Sequence, residues 1–194
     1  MKVYNKAEEL TSEIKKLKGE GVSVGFVPTM GALHKGHLSL VQKAVDSCDV
    51  VVVSIFVNPT QFNNPDDLKR YPRTLEKDIE LLEGTPAKIV FAPTANEIYP
   101  DENAKKTTYN FGNLGKVMEG KHRPGHFDGV AMVVKRLFEI VQPNKAFFGQ
   151  KDIQQYLIIR HLNDNYLKHL NIKVIKFPIV REDDCLAMSS RNVL

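Results

Sequence analysis

The stretch Pro28-Thr29-Met30-Gly31-Ala32-Leu33-His34-Lys35-Gly36-His37 gathers groups suited to binding an anion. An apolar run, Val22–Val27, precedes it, and a helical pattern follows it. A strand-to-helix junction of this kind aims free backbone N–H groups and the positive end of a helix at whatever lies beyond the strand. Gly31 and Gly36 permit close approach of the backbone to a ligand. His34 and His37 stand three residues apart, so both imidazoles reach the same side of a helical first turn. Phosphate is the ligand this predicts. The alternative is a glycine turn with two solvated histidines. Zinc is disfavoured, because the usual helical pair is four apart with a glutamate and no third ligand is evident.

Three further junctions carry similar chemistry. Asn58-Pro59-Thr60-Gln61-Phe62 follows the apolar run Val50–Val57, and the Gln61 amide has donors and an acceptor for a hydroxy acid. Read blandly, it is a polar turn opened by Asn-Pro. Phe148-Gly149-Gln150-Lys151-Asp152 places a lysine where it could balance phosphate charge in a transition state. Asp152 is a natural N-cap, and Gln155 lies one helical turn beyond Lys151. Met188-Ser189-Ser190-Arg191 offers two hydroxyls and a guanidinium, a set that can hold phosphate oxygens, although a serine-rich loop is the plainer reading. All four motifs fall at strand ends, and this predicts one crevice lined by all of them.

The elements that must position these motifs alternate. Ala7, Leu10, Ile14 and Leu17 recur at helical spacing, ended by Gly19 and Gly21. A strand over Val22–Val27 stops at Pro28. Leu38, Val41, Val45 and Cys48 mark a second helix. Val50–Val57 reads as a strand covered on both faces. Leu75, Ile79 and Leu82 mark a helix capped by Thr74, and Ile89–Ala92 a strand. Val130, Val133, Val134, Leu137 and Val141 mark a helix, Ala146–Phe148 a strand, residues near 152–170 a long helix, and Ile172–Ile179 the last strand. Such alternation predicts an α/β fold, a Rossmann-like and mostly parallel sheet with helices on both faces. The irregular segment 93–128 is too long to be idle in a compact domain and is expected to serve function.

Composition narrows the class. With 194 residues the chain holds one domain, or one plus a fragment of a second. A formal net charge of +4 without a basic run interleaved with aromatics argues against nucleic acid as partner. The longest apolar run breaks at Ser54 and stops at Asn58-Pro59, too short to span a membrane. The polar N-terminus does not read as a secretory signal. Two distant cysteines, Cys48 and Cys185, form neither a metal pattern nor a disulfide framework, so a cytoplasmic location is expected.

The phrases VPTMGALHKGH, VSIFVNPTQF, RYPRTLEKD, RPGHFDGVAMVV, FFGQKDIQQ and AMSSRN, in this order, resemble the pantoate–β-alanine ligase family within the HIGH-motif nucleotidyltransferases. The resemblance implies ATP-dependent condensation of (R)-pantoate with β-alanine to pantothenate through pantoyl adenylate, with magnesium, releasing AMP and pyrophosphate. It implies that Met30, Gly31, Ala32, Leu33, His34, Lys35, Gly36 and His37 wrap ATP, with His37 as proton donor and His34 on phosphate. Gly149, Gln150, Lys151 and Asp152 would contact ATP, Lys151 holding phosphates in a catalytic role and Asp152 the ribose. Val180 would lie against adenine, and Met188, Ser189, Ser190 and Arg191 would close on phosphates. Gln61 and Gln155 would bind pantoate, with Gln61 also near β-alanine, and Asp78 would stand near the magnesium. A homodimer is implied as well.

The chain departs from the family pattern in two places. Cys185 sits where the family usually has glycine, and a positive φ there would strain it. The family also continues past Arg191 into a smaller C-terminal domain that covers the site. Residues 1–180 are therefore expected to form the Rossmann-like ATP and pantoate domain and 181–194 the start of a linker, with the C-terminal domain largely absent. Two other readings compete. One is an adenylyltransferase that leaves the nucleotide on its substrate, and the other is a nucleotide-binding module without catalysis.

Overall fold

In a computed structural model of the chain, residues 1–101 and 107–192 are described. Val193 and Leu194, the tail of the expected linker, lie outside them. Six strands form one parallel sheet: β1 Lys2–Tyr4, β2 Val24–Thr29, β3 Val50–Ile55, β4 Ile89–Phe91, β5 Lys145–Gly149 and β6 Lys173–Phe177. Their order across the sheet is β1-β4-β3-β2-β5-β6. The main helices are α1 Ala7–Gly19, α2 Lys35–Val45, α3 Pro65–Arg70, α4 Leu75–Glu83, α5 Ala95–Ile98, α6 Glu119–His122, α7 His126–Val141 and α8 Ile153–Tyr166.

Strand alternation splits the core into two layers. Phe26 and Val52 face one side, where Leu10 and Ile14 of α1, Leu137 and Phe138 of α7 and Ile158 and Leu162 of α8 bury them. Val27, Val51 and Val53 face the other, against Leu40, Val41 and Ala44 of α2 and Leu82 of α4. Covering both faces is why these strands read as continuous apolar runs rather than alternating ones. Helix α7 buries most of its circumference and leaves Asp128, Lys135, Arg136 and Glu139 as a narrow partly exposed polar face.

The expected α/β fold is present, and the differences are local. Strand β1 has only three residues and pairs with β4 at the edge, leaving no periodic signal to read. Strand β2 runs on through Pro28 to Thr29. A proline is tolerated there because β2 pairs with β5 only at Gly25 and Phe26, so beyond Phe26 that side of β2 needs no ladder donor. The long helix after β5 ends at Tyr166, and a single 3₁₀ turn, Lys168–Leu170, completes the distance. Thr74 precedes α4 as expected but makes no capping bond; its hydroxyl donates to Asp78 instead. Asp152 likewise makes no cap bond, and its carboxylate meets the Lys151 ammonium at 3.2 Å.

After Val180 the chain folds back on itself. Arg181 bridges Ala187 in a hairpin, Met188 N–H donates to Val180 O, and Ser190 Oγ donates to Ala32 O at 3.0 Å. The turn of this hairpin places Cys185 at φ +69°, the conformation that the sequence departure put in question.

Candidate active site

The chain order reverses direction between β2 and β5, since β2 to β3 to β4 build outward on one side and β5 to β6 on the other. A crevice opens beyond the carboxyl ends of strands at such a switch point. Here the short β2–β5 pairing widens it. His34 and His37 follow β2, Gln61 follows β3, Lys151 and Gln155 follow β5, and Val180 follows β6; all six line one crevice. Met30, Gly36, Gly149, Asp152, Met188, Ser189, Ser190 and Arg191 line it too. Gly31, Ala32, Leu33, Lys35, Gln150 and Asp78 are not among its lining residues.

The two histidines cap α2 through each other. His34 Nδ1 accepts the Gly36 N–H at 3.1 Å, and His37 Nδ1 accepts the His34 N–H at 3.3 Å. A neutral imidazole accepting at Nδ1 carries its proton on Nε2, so each ring presents an N–H donor from its other edge. The rings stand 4.1 Å apart, centroid to centroid. Burial pushes the His37 pKa down to about 3, and the neighbouring His34 and the Lys151 charge act in the same direction. Burial also lowers His34, opposed by Glu182 and assisted by Lys151. Lys151 is thus close enough to act on both rings, and it shares the crevice with the guanidinium groups of Arg123 and Arg191.

Gln61 is held from both ends. Its backbone carbonyl accepts from His126 Nδ1 at 2.8 Å and from Arg123 Nη2 at 3.3 Å. Its side-chain oxygen accepts from Asn58 Nδ2 at 3.2 Å, which turns the amide N–H₂ toward Met30. Asn58 is only 1% exposed and fully engaged: Nδ2 also donates to Gly129 O, and Oδ1 accepts from Tyr99 and Thr60. Burial lowers the pKa of His126, keeping it a neutral donor.

Glu119, Arg123 and His126 come from the irregular segment and also line the crevice, so this segment contributes to the site. Spacing alone could not single them out, because Gln154 places Glu119 and Gln61 holds Arg123 and His126 from other elements. The buried Gln154 amide donates to Leu114 O and Val117 O and accepts the Glu119 N–H, clamping the strap to α8. By sequence Asn58 is only a turn former; the signal available is a polar residue beside Gln61.

Several of the expected site residues bond within the protein. The Ala32 and Leu33 N–H groups point at the Asp78 carboxylate rather than into the crevice. The Arg191 guanidinium pairs with Asp67 through Nη2 at 2.9 Å and lies 5.2 Å from the centre of the Tyr71 ring. For Asp78, both carboxylate oxygens already accept backbone N–H groups, and no three His, Cys, Asp or Glu side chains gather as metal ligands among the described residues. These residues do not fit a protein-built magnesium cage.

A parallel sheet with a switch-point crevice, lined there by a fixed cation and two imidazole donors, defines a Rossmann-like nucleotide-binding domain. The chain belongs to the pantoate–β-alanine ligase family, which it matches over residues 2–194. It is 54% identical over 193 residues to the pantothenate synthetase of Christiangramia forsetii, covering 99% of this chain and 67% of that protein. It superposes on the crystal structure of the pantoate-beta-alanine ligase from Francisella tularensis, complexed with beta-gamma ATP and beta-alanine, with TM-score 0.93 and 42% identity. That match covers 100% of this chain and 72% of the other. The pantothenate synthetase structure from Thermus thermophilus gives TM-score 0.91 and 46% identity, covering 100% of this chain and 67% of the other. The chain thus spans about two thirds of the length of these relatives.

Proposed function

We propose that this crevice carries out the ATP-dependent condensation of (R)-pantoate with β-alanine. A pantoate carboxylate oxygen attacks the α-phosphorus of ATP, the bond to the bridging oxygen breaks, and pyrophosphate leaves. The β-alanine amine then attacks the acyl carbonyl of pantoyl adenylate, loses a proton and expels AMP. The observation that carries this reading is the convergence of His34, His37, Gln61, Lys151 and Gln155 on one crevice at the switch point. Nucleotidyl transfer asks the protein chiefly for placement and charge balance, which is what this set supplies.

In this reading the Nε2–H groups of His34 and His37 donate to phosphate oxygens, and His37 acts as a neutral hydrogen-bond donor. Lys151 balances charge developing on the departing pyrophosphate. Gln61 and Gln155 hold pantoate, and the anchored Gln61 amide presents its N–H₂ to the acid. Ser189, Ser190 and Arg191 close on the phosphates once Arg191 exchanges Asp67 for them. Magnesium would arrive on the triphosphate, not in a carboxylate cage. No helix among the described residues is long and apolar enough to cross a membrane. A cytoplasmic homodimer is part of the same proposal.

The test is mass-spectrometric detection of pantoyl adenylate from ATP, magnesium and pantoate, with AMP released only after β-alanine is added. Lys151→Ala should lower adenylate formation by about 10²–10³-fold with an unchanged melting temperature. Turnover within a few-fold of the parent would remove Lys151 from the mechanism. AMP release without an amine acceptor would count against the ligase reading.

A further inference from the structure

Asp78 is a buried carboxylate, 1% exposed, in the first turn of α4, and the crevice does not reach it. Its Oδ2 accepts the Ala32 N–H at 2.9 Å and the Thr74 hydroxyl at 3.3 Å, and its Oδ1 accepts the Leu33 N–H at 2.7 Å. These amides belong to an unusual turn: Gly31 at φ +81° is followed by Ala32 at φ +48°. Two successive left-handed residues, one bearing a Cβ, persist only when their surroundings hold them. A Cβ on Gly31 would stand 3.0 Å from Asp78 Oδ2 and 3.1 Å from Ile55, so both φ and space demand glycine there. From the other side Ser190 Oγ donates to Ala32 O. The peptide before His34 is therefore gripped by a carboxylate below and a hydroxyl above.

We infer that Asp78 is a positioning residue that sets the Gly31–Ala32–Leu33 turn, and through it the direction in which His34 and His37 present their donors, and that it is not a magnesium ligand. A carboxylate that accepts two charge-assisted N–H bonds and a hydroxyl has three of its about four acceptor sites taken within the protein. A metal ion that took both oxygens as ligands would compete with these amides, and an amide left buried and unpaired is costly. The inference builds on the nucleotide site proposed above, so the test reads binding rather than turnover.

Titrating magnesium alone into the full-length protein, followed calorimetrically, should show no site in the low-millimolar range that Asp78→Asn removes. ATP affinity, measured by the same method at fixed excess magnesium, should fall in the order Asp, Asn, Ala at position 78. Asn would lose about 10-fold, because its amide sets a donor against one of the backbone N–H groups, and Ala more. The free magnesium needed for half-maximal ATP binding should be unchanged in the Asn variant. Gly31→Ala, which keeps the carboxylate but displaces the turn, should reproduce the same loss of ATP affinity, and it serves if position 78 variants do not fold. The inference is overturned by a magnesium site that Asp78→Asn abolishes, by a several-fold rise in the magnesium requirement of that variant, or by unchanged ATP affinity in the folded variants. A parent protein that binds no ATP would defeat the nucleotide reading instead, and the magnesium titration would still decide the metal question.

Discussion

His37 accepts a backbone N–H at Nδ1 and is buried, and the two facts fix its state. Its pKa in the folded protein is about 3, below the ordinary 6.5. Between those values the unfolded chain binds a proton that the folded chain refuses. Stability therefore rises with pH across this window, and the contribution is lost as pH falls through 6.5 toward 3. At 1.36 kcal/mol per unit, going from pH 7 to pH 5 should cost up to about 2 kcal/mol from this residue. His37→Gln should flatten the stability profile over that range when urea unfolding is compared at the two pH values; an equally steep profile would show that the acid sensitivity lies elsewhere. Cys185 is a second case at this scale. At φ +69°, with its carbonyl accepting from Arg181 Nη1 at 2.8 Å, it holds a conformation in which a side chain costs roughly 1 kcal/mol or more. Cys185→Gly should raise unfolding free energy by about 0.5–1 kcal/mol in chemical denaturation, part of the gain being returned as unfolded-state entropy.

Between elements, α7 lies close against the 3₁₀ turn Pro59–Gln61. A Cβ on Gly129 would lie 2.4 Å from Thr60 O and 3.0 Å from Gln61 Cα, both backbone atoms that cannot swing aside. The helix therefore acts as a flat bed on which the Gln61 turn rests, and Asn58 ties the two by donating to Gly129 O. Gly129→Ala should destabilise the fold by about 1–3 kcal/mol through overpacking and raise the KM for pantoate more than that for ATP, because the turn it displaces carries Gln61. Steady-state kinetics with each substrate varied in turn would check this; equal effects on both would place the damage in the fold at large. Gln154 performs the corresponding task on α8, where one buried amide organises the Leu114–Glu119 strap with three bonds.

For the molecule as a whole, the site exists because a right-handed α/β winding starts twice from the middle of the sheet, outward from β2 and outward from β5. Residues more than a hundred positions apart, such as His34 and Lys151, are brought to one rim by that topology. Parallel pairing between β2 and β5 is short, confined to Gly25 and Phe26 of β2. Residues 181–191 then fold back across this rim, so the fourth motif reaches the first through Ser190 and Ala32.

Periodicity was enough to establish the alternation of helix and strand, the two-faced burial of β3 and the long buried helix α7. Motif position at strand ends was enough to anticipate one crevice, since in a parallel sheet every carboxyl end points the same way. Neither could reach β1, which is too short to carry a period and exists only because β4 offers it an edge. Nor could they reach Asn58, Glu119, Arg123, His126 and Gln154, whose roles depend on hydrogen bonds to distant backbone. Asp78 shows the limit most clearly. The resemblance placed it near magnesium, and only the packing of α4 beneath the turn after β2 brings two backbone donors to its oxygens.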